Sequence, residues 1–497
     1  MISLLKKKYR AGDSTSRLLL IGFVIYAVPY LLFYPKYYLV NDEHHYVRSA
    51  YLFSHGRLWV DDPLEGYHFI SDGQRFFPRY PPGMGLWLSP FAWFGFDALF
   101  FAGLLLHGVG YLFFIRVLRL LKINVLAALF YLFYPPFVYY SATLFSDYPI
   151  TVFLLVGAYF YLEGKGKSHV LSGVFFGVAS LFKAHAVIFV LPFYLGALRK
   201  SKKKFVMMCL AFLPFVLFHA GYNWYVYGNV LSTGYSFFSS TKYGSSPFVL
   251  RALKDVFFKN LFNQLFLLVL IYPGLILGVF KTKIKEFNGT VFVSILFYSV
   301  ITYTSVVVHV VDLFIIVPYR FLLPIIPLLL PGYFRLVDQV KKRIPFFKYV
   351  ICFSLVLLVV LDAVLLASIH SASQRNRAVM SDVLDNTGKD SIIFGRNFSY
   401  LFNEFFSRRY ISLDAKSESG SYLGHHLTSA DLQAYVKNAD FYVLSEGDEN
   451  LTLKMGRKYE SSFLPEFFKS FDVRIYAVED KSAFIDRVCS DEAKICS

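Results

Sequence analysis

Long apolar runs parted by short basic loops leave this chain almost no choice of architecture. Segments near 18–38, 84–106, 108–125 running into 126–142, 148–162, 170–182, 184–198, 205–222, 261–280, 289–308, 318–336 and 349–369 are apolar enough for lipid. Inside hydrocarbon every backbone polar group must be bonded within its own segment, so such runs become helices. The stretch 84–142 holds two spans separated at the basic RVLRLLK (116–122), which brings the count to about eleven crossings. The pair at 170–198 is short for a core of about 30 Å at about 1.5 Å per residue. As a re-entrant pair it would lower the count to about nine and leave the other orientations unchanged.

Basic residues gather at KKKYR (6–10), RVLRLLK, RKSKKK (199–204), KTKIK (281–285) and KKR (341–343), in every second connection. That alternation marks cytoplasmic loops, places the N-terminus in the cytoplasm and sends the C-terminal tail outside. The net charge of +16 is therefore topological. No basic, aromatic-interleaved module stands apart from it, so nucleic acid is not an expected partner. The first apolar run follows a basic stretch as in a signal peptide, but it is long, carries Pro29 and Pro35, and lacks a small-residue cleavage site. It reads as an uncleaved first helix.

Two external connections are large. The first, 39–83, is rich in aromatics, charge and proline and suits short interfacial helices; the second, 223–260, contains WYVYGNVLSTGY (224–235), which is too punctuated for a span. Beyond residue 370 the composition turns polar. The reading is a polytopic α-helical membrane module over 1–370 and a soluble extracytoplasmic α/β domain over 371–497. Strands are expected at 391–395, 409–413, 440–445 and 472–478, and helices near 373–386 and 429–439, the latter capped by Thr428 or Ser429. Of the four cysteines, Cys209 and Cys352 lie in apolar runs, whereas Cys489 and Cys496 are close enough in the external tail to form a local disulfide. Asn397 and Asn450 stand in glycosylation sequons for a eukaryotic secretory setting.

The chemistry concentrates where the first run leaves the bilayer, at NDEHHY (41–46). Acids held at a membrane surface are functional candidates, and Asp42 and Glu43 sit there together; the competing reading is a solvated turn. A further acid, Asp147 in SDYP (146–149), lies on the same side. Two such acids can converge, one taking a proton from an acceptor hydroxyl and the other orienting the acceptor or holding a divalent cation such as Mg or Mn. Lys183 and His185 occupy the external turn of the short helical pair, and Tyr319 and Arg320 lie in PYRFLLPIIP. A cation at that depth suits a phosphate oxygen, with snorkelling towards the interface as the alternative. Tyr46, Arg79 and Tyr80, the last two beside Pro81, Pro82 and Gly83, bind substrate or merely stiffen the loop. His44 and His45 read as polar loop residues.

The order DE..Y, a loop ending in YPPG, an external acid before proline and RFLLP..P resembles the GT-C membrane glycosyltransferases, above all the protein O-mannosyltransferase and lipid A aminoarabinose transferase group. The resemblance covers about residues 1–336. It implies a GT-C-like fold, a polyprenyl-phosphate-linked sugar donor, and chemistry on the extracytoplasmic face of a prokaryotic inner membrane. It further implies Asp42 as general base with Glu43 in support, Asp147 as the second acid, and inversion at the anomeric carbon. Arg320 and Lys183 would stabilise the departing phosphate, and the acceptor would be a glycan, lipid or protein. The chain has no histidine-rich or repeated domains, and it carries Tyr80-Pro81-Pro82 where the aminoarabinose branch has Lys-Pro-Pro, which leaves donor sugar and acceptor open. The rival readings are a flippase or transporter for a lipid-linked substrate, and a ligase or polymerase of lipid-linked glycans. No internal repeat favours the transporter.

Overall fold

The computed structural model describes residues 2–62, 69–71, 75–78, 80–232, 257–270, 272, 274–301, 320–395, 401–402, 404–406, 408–412, 439–445, 451–459 and 471–491. Four helical stretches among them are long and apolar enough to cross a membrane: Thr15–Leu32, Phe96–Leu120, Lys202–Tyr227 and Phe347–Asn386. Ser168–Phe182 and Phe257–Val269 are shorter apolar helices. The chain divides into two compact units, Met1–Tyr34 with Gly103–His219 and Pro247–Ala367, and Pro35–Ala102 with Ala220–Ser246 and Ser368–Ser497.

In the first unit small residues let helices approach closely. Helix Asp147–Glu163 turns back into Ser168–Phe182, where Ser172 Oγ donates to the carbonyl of Gly157 at 2.9 Å. A Cβ at Gly157 would stand 2.4 Å from the Phe176 ring, so only glycine admits it. Helix Ala186–Lys200 packs against Lys285–Val300, tied by Thr290 Oγ1 donating to Phe189 O at 2.8 Å. At the basic end of these helices Tyr161 donates to Glu286 at 2.6 Å and Lys200 to the same oxygen at 2.9 Å.

Two expected spans are redrawn. The apolar run at 84–106 is not one helix: Pro82–Ala92 ends at a turn in which Gly95 has φ +98°, and a new helical stretch begins at Phe96. The run 126–142 is broken into Ala128–Leu132 and Pro135–Ser141, because Pro135 and Pro136 can start a helix but cannot continue one. Helix Lys202–Tyr227 also runs into the expected external connection, taking in 224–227 before Gly228 at φ +70° ends it.

The second unit opens with helix Asn41–Ser54, a hairpin of β1 (Ile70–Ser71) and β2 (Phe76–Phe77), and helix Pro82–Ala92. Helix Asn41–Ser54 lies against Pro82–Ala92 at Gly85, where a Cβ would come within 2.8 Å of Ser49 Cβ. The tail forms a mixed sheet of β3 (Ile392–Gly395), β4 (Arg409–Ser412), β5 (Phe441–Ser445), β6 (Thr452–Tyr459) and β7 (Phe471–Ala477), in the order β4-β3-β5-β7-β6. Strand β3 is parallel to β4 and β5; β7 is antiparallel to β5 and β6. Helix Lys481–Asp491, its N-terminus closed by Asp480 Oδ1 on the Ala483 amide at 2.9 Å, sets Phe484, Ile485 and Val488 on Ile392, Phe394, Phe441 and Val443. Within this unit Asp62 pairs with Arg409 at 3.2 Å, and Asn376 donates to Tyr38 O at 3.0 Å.

Four strands fall on the runs expected to form them. The fifth, β6, was not expected: Leu453, Lys454 and Arg457 are all exposed on it, so it has no apolar face to betray it. Charged side chains on a sheet edge block further pairing. The helix expected near 373–386 is the end of the unbroken Phe347–Asn386. The helix expected at 429–439 lies outside the described residues except for Ala439, a bend residue in the sheet core; Asn397, Asn450, Cys496 and the side chain of Cys489 lie outside them too.

Candidate active site

Each unit carries part of the predicted residue set. In the second unit, helix Asn41–Ser54 starts directly after Val40, placing Asn41, Asp42 and Glu43 in its first turn, where exposed amides favour negative side chains. Glu43 is fully buried and turns inward: its Oε2 accepts from the amides of Leu39 at 2.7 Å and Val40 at 3.1 Å. Val40 has no side-chain acceptor, so only the Glu43 half of a capping box exists. Asp42, half-exposed beside it, accepts from the Tyr80 hydroxyl through Oδ1 at 2.8 Å. The Tyr80 ring lies 5.0 Å from Tyr46 and 5.4 Å from His45. His44 and His45 are thus buried helix residues rather than polar loop residues. Glu43→Ala removes two hydrogen bonds to a charged acceptor and is expected to cost about 1.5–3 kcal/mol, read as a lowered unfolding midpoint that Glu43→Gln largely restores.

In the first unit Asp147 heads helix Asp147–Glu163, and Lys183 closes helix Ser168–Phe182. Lys183 Nζ meets Asp147 Oδ1 at 2.6 Å with both residues buried. His185, at the start of helix Ala186–Lys200, bonds the Tyr298 hydroxyl through Nε2 at 3.0 Å. Arg320 is buried with its guanidinium 4.8 Å from the Phe321 ring centre and 6.0 Å from that of Phe145. The hydroxyls of Tyr140 and Tyr298 both lie within electrostatic reach of Asp147 and Arg320. The structure therefore gathers Asp147, Lys183, His185 and Arg320 around two tyrosines. Sequence reasoning passed over Tyr140 and Tyr298, which stand in the last turns of helices Pro135–Ser141 and Lys285–Val300, ends that apolar runs do not mark. Arg79 and Tyr319 lie outside the described residues.

Among solved structures, ArnT from Cupriavidus metallidurans in the apo state aligns over 96% of this chain and 99% of its own, with a TM-score of 0.57 and 10% identity. The same protein bound to undecaprenyl phosphate aligns over 94% and 99%, with a TM-score of 0.59 and 10% identity. The fold is that of the GT-C glycosyltransferases. The Archaeoglobus fulgidus oligosaccharyltransferase tethered with an acceptor peptide aligns over 86% of this chain and 68% of its own, at a TM-score of 0.50 and 12% identity. From sequence alone, the model of Glycosyltransferase family 87 matches residues 77–305. No curated protein matches. Family match, fold and apolar helices together make the protein a membrane glycosyltransferase.

For this glycosyltransferase the divalent cation that paired acids would permit meets a poor donor set. Among the described residues no three His, Cys, Asp or Glu side chains cluster as metal ligands. Asp147 is engaged by an ammonium group and Asp42 by a phenol.

Proposed function

We propose that the protein transfers a sugar from a polyprenyl-phosphate donor to an acceptor hydroxyl on the extracytoplasmic face of a prokaryotic inner membrane. The placement of Asp42 carries the reading: a partly exposed carboxylate in the first turn of a helix, its Oδ1 aimed by the Tyr80 hydroxyl. Asp42 takes the proton of the acceptor hydroxyl as that oxygen bonds the anomeric carbon. The anomeric C–O bond to phosphate breaks, and its electron pair leaves with the polyprenyl phosphate. Attack opposite to departure inverts the anomeric centre. Glu43 supports this by fixing the main chain before Asp42, and Asp147 positions the acceptor, since Lys183 already matches its charge.

Arg320, with His185 and Lys183, is assigned to the phosphate, where charge develops as the bond breaks. Undecaprenyl phosphate in ArnT and the acceptor peptide on the archaeal enzyme support a lipid-linked donor and a separate acceptor, a glycan, lipid or protein. The remaining elements of the reading are about eleven crossings, a cytoplasmic N-terminus, a membrane module over 1–370 and an external domain over 371–497. Arg320→Lys keeps the charge but loses the planar fork. It is expected to lower transfer about ten- to a hundredfold, the worth of one charged hydrogen bond. The test is label transfer from radiolabelled polyprenyl-phosphate sugars by the protein in lipid. Lipid translocation without transfer would replace this reading by a flippase, and transfer of preassembled glycans alone by a ligase.

A further inference from the structure

The connection Glu163-Gly164-Lys165-Gly166-Lys167-Ser168-His169 joins two helices of the first unit at their basic end. Gly164 and Gly166 take φ of +62° and +49°, the left-handed region that glycine enters freely. They feed the chain into the 15-residue helix Ser168–Phe182. The amides of Ser168 and Val170 are already bonded to Lys165 O and Lys167 O, so side chains rather than the helix start must hold any ligand.

His169 supplies the second observation. It is 6% exposed, and among the described residues neither ring nitrogen has a hydrogen-bond partner. A Cβ on Gly164 would stand 3.9 Å from its Nε2, so the ring faces the glycine turn. Lys200 and Lys204 are near enough to act on its charge, and Lys165 and Lys167, both exposed, precede it in the turn. The acids nearby are engaged: Glu163 accepts from Ser168 at 2.6 Å and Tyr159 at 3.0 Å, and Glu286 accepts from Lys200 and Tyr161. An orphaned buried imidazole is costly, and a ligand accepting from it removes that cost. The surrounding lysines reject a cation and favour an anion rich in acceptor oxygens.

We propose that His169, Lys204, Lys165 and Lys167 form a binding site for a phosphate group, on the face that the basic loops assign to the cytoplasm. It goes beyond the transfer reaction, which is proposed for the opposite face, and does not depend on it. The phosphate comes either from an anionic phospholipid headgroup or from solution. Full-length protein is purified and its retention of phosphatidylglycerol over phosphatidylcholine followed by native mass spectrometry, with inorganic phosphate added as competitor. Wild type is expected to retain phosphatidylglycerol selectively or to bind inorganic phosphate, and Lys204→Gln and His169→Gln to weaken that binding about tenfold or more. Retention that phosphate does not displace identifies the headgroup; binding of phosphate alone identifies the soluble source. Absence of both, or equal binding by wild type and Lys204→Gln, overturns the site. Lys204 is partly exposed, so its variant decides the matter even if His169→Gln fails to fold.

Discussion

Replacing Asp42 by Asn is expected to lower kcat for sugar transfer about 10²- to 10⁴-fold, the usual worth of a positioned general base. Donor binding should change little, because asparagine keeps the size of the side chain and can still accept from Tyr80. The measurement is single-turnover transfer from a polyprenyl-phosphate sugar, with donor affinity determined separately. A wild-type rate in Asp42→Asn removes the base assignment and leaves the acid as a solvated helix-terminal residue. Tyr80→Phe provides the finer comparison. It deletes only the hydroxyl that holds Oδ1 at 2.8 Å, so its loss should be smaller than that of Asp42→Asn and lie in the rate rather than in donor affinity.

Lys183→Met is expected to destabilise the protein by about 3–5 kcal/mol, because it strands a buried carboxylate. Asp147 and Lys183 meet at 2.6 Å with side chains 3% and 9% exposed. Replacing both, as Asp147→Asn with Lys183→Met, should recover much of that stability, since neither charge is left uncompensated. Thermal unfolding of the two single variants and the double variant in one lipid environment gives the coupling between them. Additive losses would show that the pair is screened and contributes little. Transfer assayed on the double variant then separates a structural pair from one that positions acceptor: restored stability with activity still lost indicates the second.

Apolar runs made the four membrane-length helices of the described residues legible in the sequence, and apolar alternation four of the five sheet strands. What stayed hidden has physical reasons. Strand β6 is an exposed edge, so no buried face imposed a pattern on it. The breaks at Gly95 and at Pro135-Pro136 fall inside runs whose apolarity is continuous, and a hydropathy reading averages across them. Asp42 and Asp147 were visible as acids at the ends of apolar runs, but their partners were not. The ion pair joins residues 36 positions apart and the phenol bond joins residues 38 apart, and neither spacing has a signature in one chain. Glu43 was singled out as a supporting acid, and its carboxylate serves the backbone of residues 39 and 40.

That use of Glu43 has a consequence for how this region tolerates change. The aim of Asp42 is inherited from main-chain geometry, through a clamp that reads amides and ignores what side chains precede them. Side chains at positions 39–41 are therefore open to wide replacement as long as their amides remain. The number of residues between the clamp and the acid is not: one inserted or deleted residue turns a helix by about 100° and points Asp42 elsewhere. For anyone redesigning or grafting this segment, its spelling is free and its length is fixed.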